Sequence, residues 1–234
     1  MKQFWTTFFL AILISFKVQA AEDDPVKLSP GNVLFEGVQE HCVEVGEITF
    51  GLGKQWSNCH ILRARWLVTI DLIDMYQTQY CLGHDEQSCD QHAWVVFANR
   101  AYTKEAKPLV VRMDPSTTVY KDPLVIVTGE DRLMSMTSTN ADGVESTNYY
   151  LWHTDHWMPI DAKSWLPKLS KQLPKGTSIR QPVWPDLESM STEVNLFKSG
   201  DKDCCPTGGK AKVELGFESE NFLVKKVNIS TETQ

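Results

Sequence analysis

Several well-known catalytic signatures are missing from this 234-residue sequence. It contains no Gly-x-Ser-x-Gly nucleophile elbow, no phosphate-binding glycine loop and no His-Glu-x-x-His zinc motif. Paired carboxylates suited to glycoside hydrolysis cannot be chosen among 30 acidic residues, because no spacing singles out one pair. No motif therefore identifies a reaction, and any prediction of function depends on weaker signals.

Positive charge and long hydrophobic runs are also scarce. The chain has 23 Lys and Arg against 30 Asp and Glu, with a net charge of −7. An acidic protein repels phosphate backbones, so we do not expect nucleic acid as a partner. The apolar run at residues 8–15 is too short to cross a bilayer, so we do not expect the protein to span a membrane.

The first 20 residues have the pattern of an export signal. Lys2 precedes an apolar core, and short side chains at Val18 and Ala20 suit a signal peptidase that cuts after Ala20. We expect residues 1–20 to be removed and the remainder to be periplasmic or secreted. Cysteines in such a compartment form disulfides.

Most of the chain alternates with a period of two or forms short runs rich in Val, Ile and aromatic residues, which is typical of strands. Strands are predicted at 33–38, 43–50, 61–70, 93–99, 109–113, 123–128, 133–137, 148–153, 193–197, 211–217 and 222–227. The last two are expected to form a hairpin, with Lys212 and Glu214 facing water and Phe222, Val224 and Val227 facing inward.

One helix is predicted near 164–173, where Ser164 is an acceptable N-cap and Pro167 falls in the first turn. Residues 72–80 fit either a second helix or a strand. The predicted fold class is therefore mainly β, a β-rich α+β protein of antiparallel strands and hairpins.

A single domain is predicted over residues 21–234. The polar stretch at 135–148 is a possible boundary between two domains. We favour a long hairpin loop there, because strand patterns flank it closely and Asp142-Gly143 is a strong turn pair.

The six cysteines are Cys42, Cys59, Cys81, Cys89, Cys204 and Cys205. Fifteen pairings are possible, and the sequence does not choose among them. Proximity along the chain favours Cys42–Cys59 and Cys81–Cys89, which leaves Cys204 and Cys205 for each other. A bond between neighbours is uncommon, so a link from one of them to the amino-terminal half stays open.

Two histidine-containing segments suggest metal chemistry. The spacing of Cys81, His84, Cys89 and His92 has the ligand types of a zinc site, but export favours a disulfide loop with two surface histidines. We therefore predict no metal and no cofactor.

The segment with His153, Asp155 and His156 resembles a metal or acid–base cluster. On one strand, residues three apart point to opposite faces, so His153 and His156 meet only if the chain bends between them. We favour a strand end with polar tips.

The string from Asp201 to Gly209, with Cys204-Cys205-Pro206-Thr207-Gly208-Gly209, is the most distinctive local motif. It resembles the Cys-Cys-Pro-Ser/Thr-Gly-Gly segment near the carboxyl end of exported bacterial proteins and lipoproteins, where a β-hairpin follows. Further parts of the resemblance lie at 157–161, 164–166, 173–176 and 185–187. The resemblance implies export, a β-rich fold and a bacterial envelope origin, and it supplies no activity.

The predicted function is a non-catalytic, disulfide-stabilised binding module of the envelope or the secreted fraction. Its partner would be an envelope polymer or protein that the sequence does not identify. Trp157 and Trp184 adjoin Pro and polar residues and are predicted to be exposed, whereas Trp66 and Trp94 lie within strand patterns and are predicted to be buried.

Two alternatives to this function stay open. The first is a metal-assisted hydrolase that uses His153, Asp155 and His156. The second is thiol chemistry at Cys204-Cys205, although redox enzymes usually space the pair as Cys-x-x-Cys at the start of a helix.

Overall fold

The structure is a computed structural model that describes residues 33–34, 58–85, 87–100 and 105–230. The predicted signal peptide, the predicted strand at 43–50 and Cys42 lie outside these residues. Strands dominate the described part and a single short helix accompanies them, so the prediction of a mainly β protein is confirmed. Within those ranges, every helix is too short or too polar to cross a membrane.

The first sheet is antiparallel and holds five strands. They are β1 (Val33–Leu34), β2 (Asn58–Ile70), β3 (Ile73–Gly83), β4 (Gln91–Arg100) and β5 (Glu105–Pro115). Their order is β1-β5-β4-β3-β2, so β2 forms one edge among the described strands. Residues 72–80 are mostly strand, because Asp71 and Leu72 take positive φ and make a tight two-residue turn between β2 and β3.

The second sheet contains β6 (Val119–Tyr120), β7 (Leu124–Thr128), β8 (Asp131–Thr139), β9 (Glu145–His153) and β10 (His156–Ile160). Its order is β10-β9-β8-β6, and β7 also pairs with β8. The polar stretch at 135–148 forms the β8–β9 hairpin, as the Asp142-Gly143 pair predicts. Asn140 closes the turn, because its side-chain oxygen accepts the amide protons of Asp142 and Val144.

After the second sheet come α1 (Leu166–Ser170), β11 (Thr177–Ser178), β12 (Ser191–Asn195), β13 (Phe197–Lys198), β14 (Lys210–Glu218) and β15 (Asn221–Ser230). The third sheet has the order β12-β14-β15, and β11 pairs with β13 beside it. The helix is shorter than predicted. Ser164 does not cap it, because its hydroxyl donates to the Asp161 carbonyl and accepts the amide proton of Phe222.

The β14–β15 hairpin forms as the alternation predicts. Lys212 and Glu214 are exposed, and Phe222 and Val224 are buried. Val227 packs against the same core although it is three residues after Val224, because a bulge after Glu214 shifts the register of the pair.

The second sheet is the middle of three layers, because both of its faces are buried. Alternate residues of β8 and β9 separate to the two sides. Leu133, Tyr149 and Leu151 pack against the third sheet and α1. Met134, Met136, Tyr150 and Trp152 pack against Met75, Trp94 and Val96 of the first sheet. Strands buried on both faces explain why 133–137 and 148–153 read as apolar runs.

Disulfides link two of the predicted cysteine pairs. Cys81 bonds Cys89 across the β3–β4 loop, and Cys204 bonds its neighbour Cys205. Cys59 is also disulfide-bonded, and its predicted partner Cys42 lies outside the described residues. Because Cys81 and Cys89 are oxidised, they offer no thiolates for the alternative zinc site.

Candidate functional site: a polar cleft beside Trp184

His153 and His156 meet at the tip of the β9–β10 hairpin. A two-residue turn at Thr154 and Asp155 reverses the chain, and Thr154 takes a positive φ of 56°. The two histidines become cross-strand partners with ring centroids 5.6 Å apart. The chain thus bends between His153 and His156, which is the condition under which the two histidines were expected to meet.

The hairpin tip does not assemble a metal centre. Asp155 lies 3.1 Å from Nδ1 of His156, and this hydrogen bond is the main cause that lowers the pKa of the Asp155 carboxyl, with help from Lys107 and Arg100. All three side chains of the predicted cluster are exposed or half-exposed. A catalytic zinc needs three protein ligands, and no suitable group of three occurs within the described ranges.

Two of the four predictions about the exposure of tryptophans are wrong. Trp94 is buried, as predicted. Trp66 is 55% exposed and lies on β2, which is an edge strand among the described strands. Trp157, on β10, is buried, because it pairs with Trp152 of β9 and its indole Nε1 lies 3.2 Å from the sulfur of Met75 in the first sheet. Trp184 is half-buried and reaches the surface.

Trp184 lines a cleft of about 560 Å³ between the second and third sheets, which we call the Trp184 cleft. This volume is in the usual range for small-molecule sites. The cleft is lined by Lys121, Asp122, Leu124, Ser135, Thr137, Glu145, Thr147, Tyr149, Ile179, Gln181, Pro182, Val183, Trp184, Pro185, Asp186, Leu187, Thr192, Glu193 and Asn195.

Hydrogen bonds fix the segment that carries Trp184. Its indole Nε1 donates to the carbonyl of Glu145 at 3.2 Å, and its own carbonyl accepts from the Thr192 hydroxyl at 3.3 Å. The Tyr149 hydroxyl donates to the carbonyl of Pro185 at 2.5 Å. The aromatic ring is thus held between β9 and β12 before any ligand arrives, which lowers the entropic cost of binding.

Two arginines neutralise Asp122 at one end of the cleft. Arg63 and Arg65, both on β2, approach the Asp122 carboxylate at 2.5 and 2.8 Å. These pairs also connect the first sheet to the second. Because a carboxylate has several lone pairs, a paired Asp122 can still accept a further hydrogen bond.

The other three carboxylates of the cleft also have partners. Glu145 pairs with Lys121, and Glu193 pairs with Lys210 at 2.6 Å. Asp186 accepts the backbone amide protons of the two loop residues at 188 and 189. The cleft is therefore rich in acceptors but close to neutral.

Sequence reasoning singled out Trp184 and missed the rest of the cleft. Gln181, Asn195 and the hydroxyls of Thr137 and Thr147 come from four separate segments. The remaining predicted binding residues, Trp157, His153, Asp155 and His156, do not line it. No local motif marks the site, and the nearest signal is a tryptophan between two prolines.

No protein family matches this sequence, and none of the curated proteins is significantly similar to it. The resemblance of the carboxyl-terminal segment to exported bacterial proteins therefore stays a prediction.

Proposed function

We propose that the protein is an exported, disulfide-stabilised and non-catalytic module that binds carbohydrate in the Trp184 cleft. The observation that carries this proposal is the cleft itself, where a pre-positioned tryptophan stands among neutralised carboxylates. Export is supported by the signal-like pattern of residues 1–20 and is compatible with the disulfides.

The balance of charge selects the class of ligand. The cleft is lined by four carboxylates and one lysine, and Arg63, Arg65 and Lys210 bring the balance close to neutral, so an anionic ligand finds no net positive charge to bind it. A cationic ligand has to compete with Arg63, Arg65, Lys121 and Lys210, which already occupy three of the four carboxylates. A neutral sugar avoids both disadvantages, because its hydroxyls donate to carboxylate and amide oxygens.

The combination of an aromatic ring with amide groups in the cleft also suits a sugar. A pyranose has an apolar face that packs on an aromatic ring, and Trp184 offers such a ring at the cleft. Gln181 and Asn195 supply amide groups that both donate and accept, as ring hydroxyls require. Envelope glycans present such sugars to an exported protein.

Titration of the folded, disulfide-intact protein with neutral oligosaccharides and with peptidoglycan disaccharide-peptides tests the proposal. Calorimetry should detect saturable binding of at least one of them. Trp184→Ala should weaken it about tenfold or more, the loss expected when a well-placed aromatic contact worth about 1.4 kcal/mol is removed. Trp184→Phe should recover part of the affinity because it retains a ring.

Trp66→Ala is the matched control, because Trp66 is exposed and does not line the cleft. It should bind like the unmodified protein. Binding of a basic peptide but of no sugar would refute the carbohydrate assignment. Equal affinity in the Trp184→Ala and Trp66→Ala variants would refute the cleft as the site.

A further inference from the structure

We propose that the Cys204–Cys205 disulfide is a redox-reactive site whose state is transmitted to the wall of the Trp184 cleft. Both cysteines are exposed, whereas Cys81 is buried and Cys89 is half-buried. Thiol–disulfide exchange requires a thiolate to reach a sulfur atom, so an exposed disulfide reacts before a buried one.

We expect the Cys204–Cys205 bond to add little to stability. A disulfide stabilises chiefly by restricting the unfolded chain, and this effect grows with the length of the loop that it closes. Cys204 and Cys205 are adjacent, so the bond closes the smallest possible loop. Cys81–Cys89 spans eight positions and restricts the unfolded chain more. The position and exposure of Cys204–Cys205 suit reactivity better than cross-linking.

The loop around this disulfide is closed without it. The carboxylate of Asp201 accepts the backbone amide protons of Lys198 at 2.6 Å and of Thr207 at 2.8 Å, and also the Thr207 hydroxyl proton at 2.8 Å. The hydrogen bond from the Thr207 amide is the main reason that the pKa of the Asp201 carboxyl lies below its usual range. Reduction should therefore loosen residues 203–205 and leave the third sheet folded.

Asp203 connects the disulfide to the cleft. Its carbonyl lies 3.4 Å from the side-chain amide nitrogen of Gln181, and its carboxylate lies 3.4 Å from the guanidinium of Arg180. Arg180 also donates to the carbonyls of Lys198 and Asp201. Gln181 lines the cleft, so movement of the Asp203 backbone changes the support of a cleft side chain.

A dithiol reduces the Cys204–Cys205 disulfide in two exchange steps. One of its thiolates attacks a sulfur of the pair and forms a mixed disulfide, and the other cysteine leaves as a thiolate. The second thiol of the reductant then displaces the first cysteine. Two electrons and two protons reach the protein, which gains two thiols, and the reductant becomes a cyclic disulfide.

Mild reduction with dithiothreitol, followed by alkylation and peptide mass spectrometry, tests the reactivity. Cys204 and Cys205 should be labelled while Cys81 and Cys89 stay bonded. Hydrogen exchange on the same samples should become several-fold faster in peptides that cover 177–184 and 200–207. Exchange in α1 and in β14 should not change.

The double variant Cys204→Ser/Cys205→Ser gives an independent measurement, because it opens the ring without a reductant. It should fold and should reproduce the faster exchange at 177–184. Labelling of Cys81 and Cys89 before Cys204 and Cys205 would overturn the redox assignment. Unchanged exchange at 177–184, in both the reduced protein and the double variant, would overturn the coupling. Neither readout uses a ligand, so failure of the carbohydrate proposal would leave this test intact.

Discussion

Replacing Trp165 with alanine should cost about 3–5 kcal/mol of unfolding free energy, the range for a fully buried tryptophan that leaves a cavity. Trp165 is 1% exposed at the start of α1 and packs in the core between the second and third sheets. Its indole Nε1 also donates to the carbonyl of Ala162 at 2.8 Å. Since whole domains are stable by about 5–15 kcal/mol, this single change removes a large fraction.

Chemical denaturation followed by circular dichroism measures this loss, and Trp66→Ala is the matched control. Trp66 lies on an edge strand with 55% of its surface exposed, so its replacement should cost less than about 1 kcal/mol. The sequence pattern alone predicts the reverse for Trp66. A large loss at Trp66 together with a small loss at Trp165 would contradict the observed order of layers.

Stability should fall steeply above about pH 10, because four buried tyrosines resist ionisation. Burial is the main cause that raises the pKa of Tyr80, Tyr120, Tyr149 and Tyr150. The hydrogen bond from the Tyr120 hydroxyl to Asp114 raises its pKa further.

The direction of this pH dependence follows from the number of protons that the native and unfolded states bind. Below about pH 10 these tyrosines are neutral in both states, and their contribution to stability is fully present. Above it the unfolded chain releases protons that the native state retains, so stability is lost with rising pH. Each tyrosine adds up to about 1.4 kcal/mol per pH unit, so the three with the largest rises in pKa, Tyr80, Tyr120 and Tyr149, approach a slope of about 4 kcal/mol per pH unit.

Urea unfolding between pH 8 and pH 11 measures this slope. Tyr80→Phe removes one ionisable group with little change in volume, so its slope should be smaller by the contribution of one proton. A slope near zero in the unmodified protein, or an identical slope in the variant, would contradict the burial of these hydroxyls.

The local parts of the fold are predictable from sequence because short-range physics determines them. The β14–β15 hairpin follows from alternation at residues 211–217, and the β8–β9 turn follows from Asp142-Gly143. Strand β10 was missed, because a two-residue turn at Thr154-Asp155 has no glycine or asparagine to mark it. Because this turn has no such mark, the sequence left open whether His153 and His156 meet.

Exposure is harder to predict, because it depends on which layer covers each face. Trp157 lies among polar residues in the sequence, but the first sheet covers it. Trp66 has a strand pattern, but β2 has no neighbour on one side among the described strands. These outcomes depend on long-range packing that a period-two pattern does not contain.

The Trp184 cleft could not be predicted as a site for a similar reason. Thr137 is far in sequence from Trp184 and Asn195, and it meets them only when the third sheet docks on the second. Its carboxylates read as ordinary surface acids, and their neutralisation depends on partners up to 59 residues away.

Nuclear magnetic resonance mapping of a neutral oligosaccharide tests most directly whether the Trp184 cleft binds sugar. We expect progressive shifts of the Trp184 indole N–H signal and of the side-chain amide signals of Gln181 and Asn195. Signals from the hairpin tip at His153 and His156 should stay in place. Shifts confined to Trp66 or to that tip, with Trp184 unperturbed at saturating sugar, would contradict it.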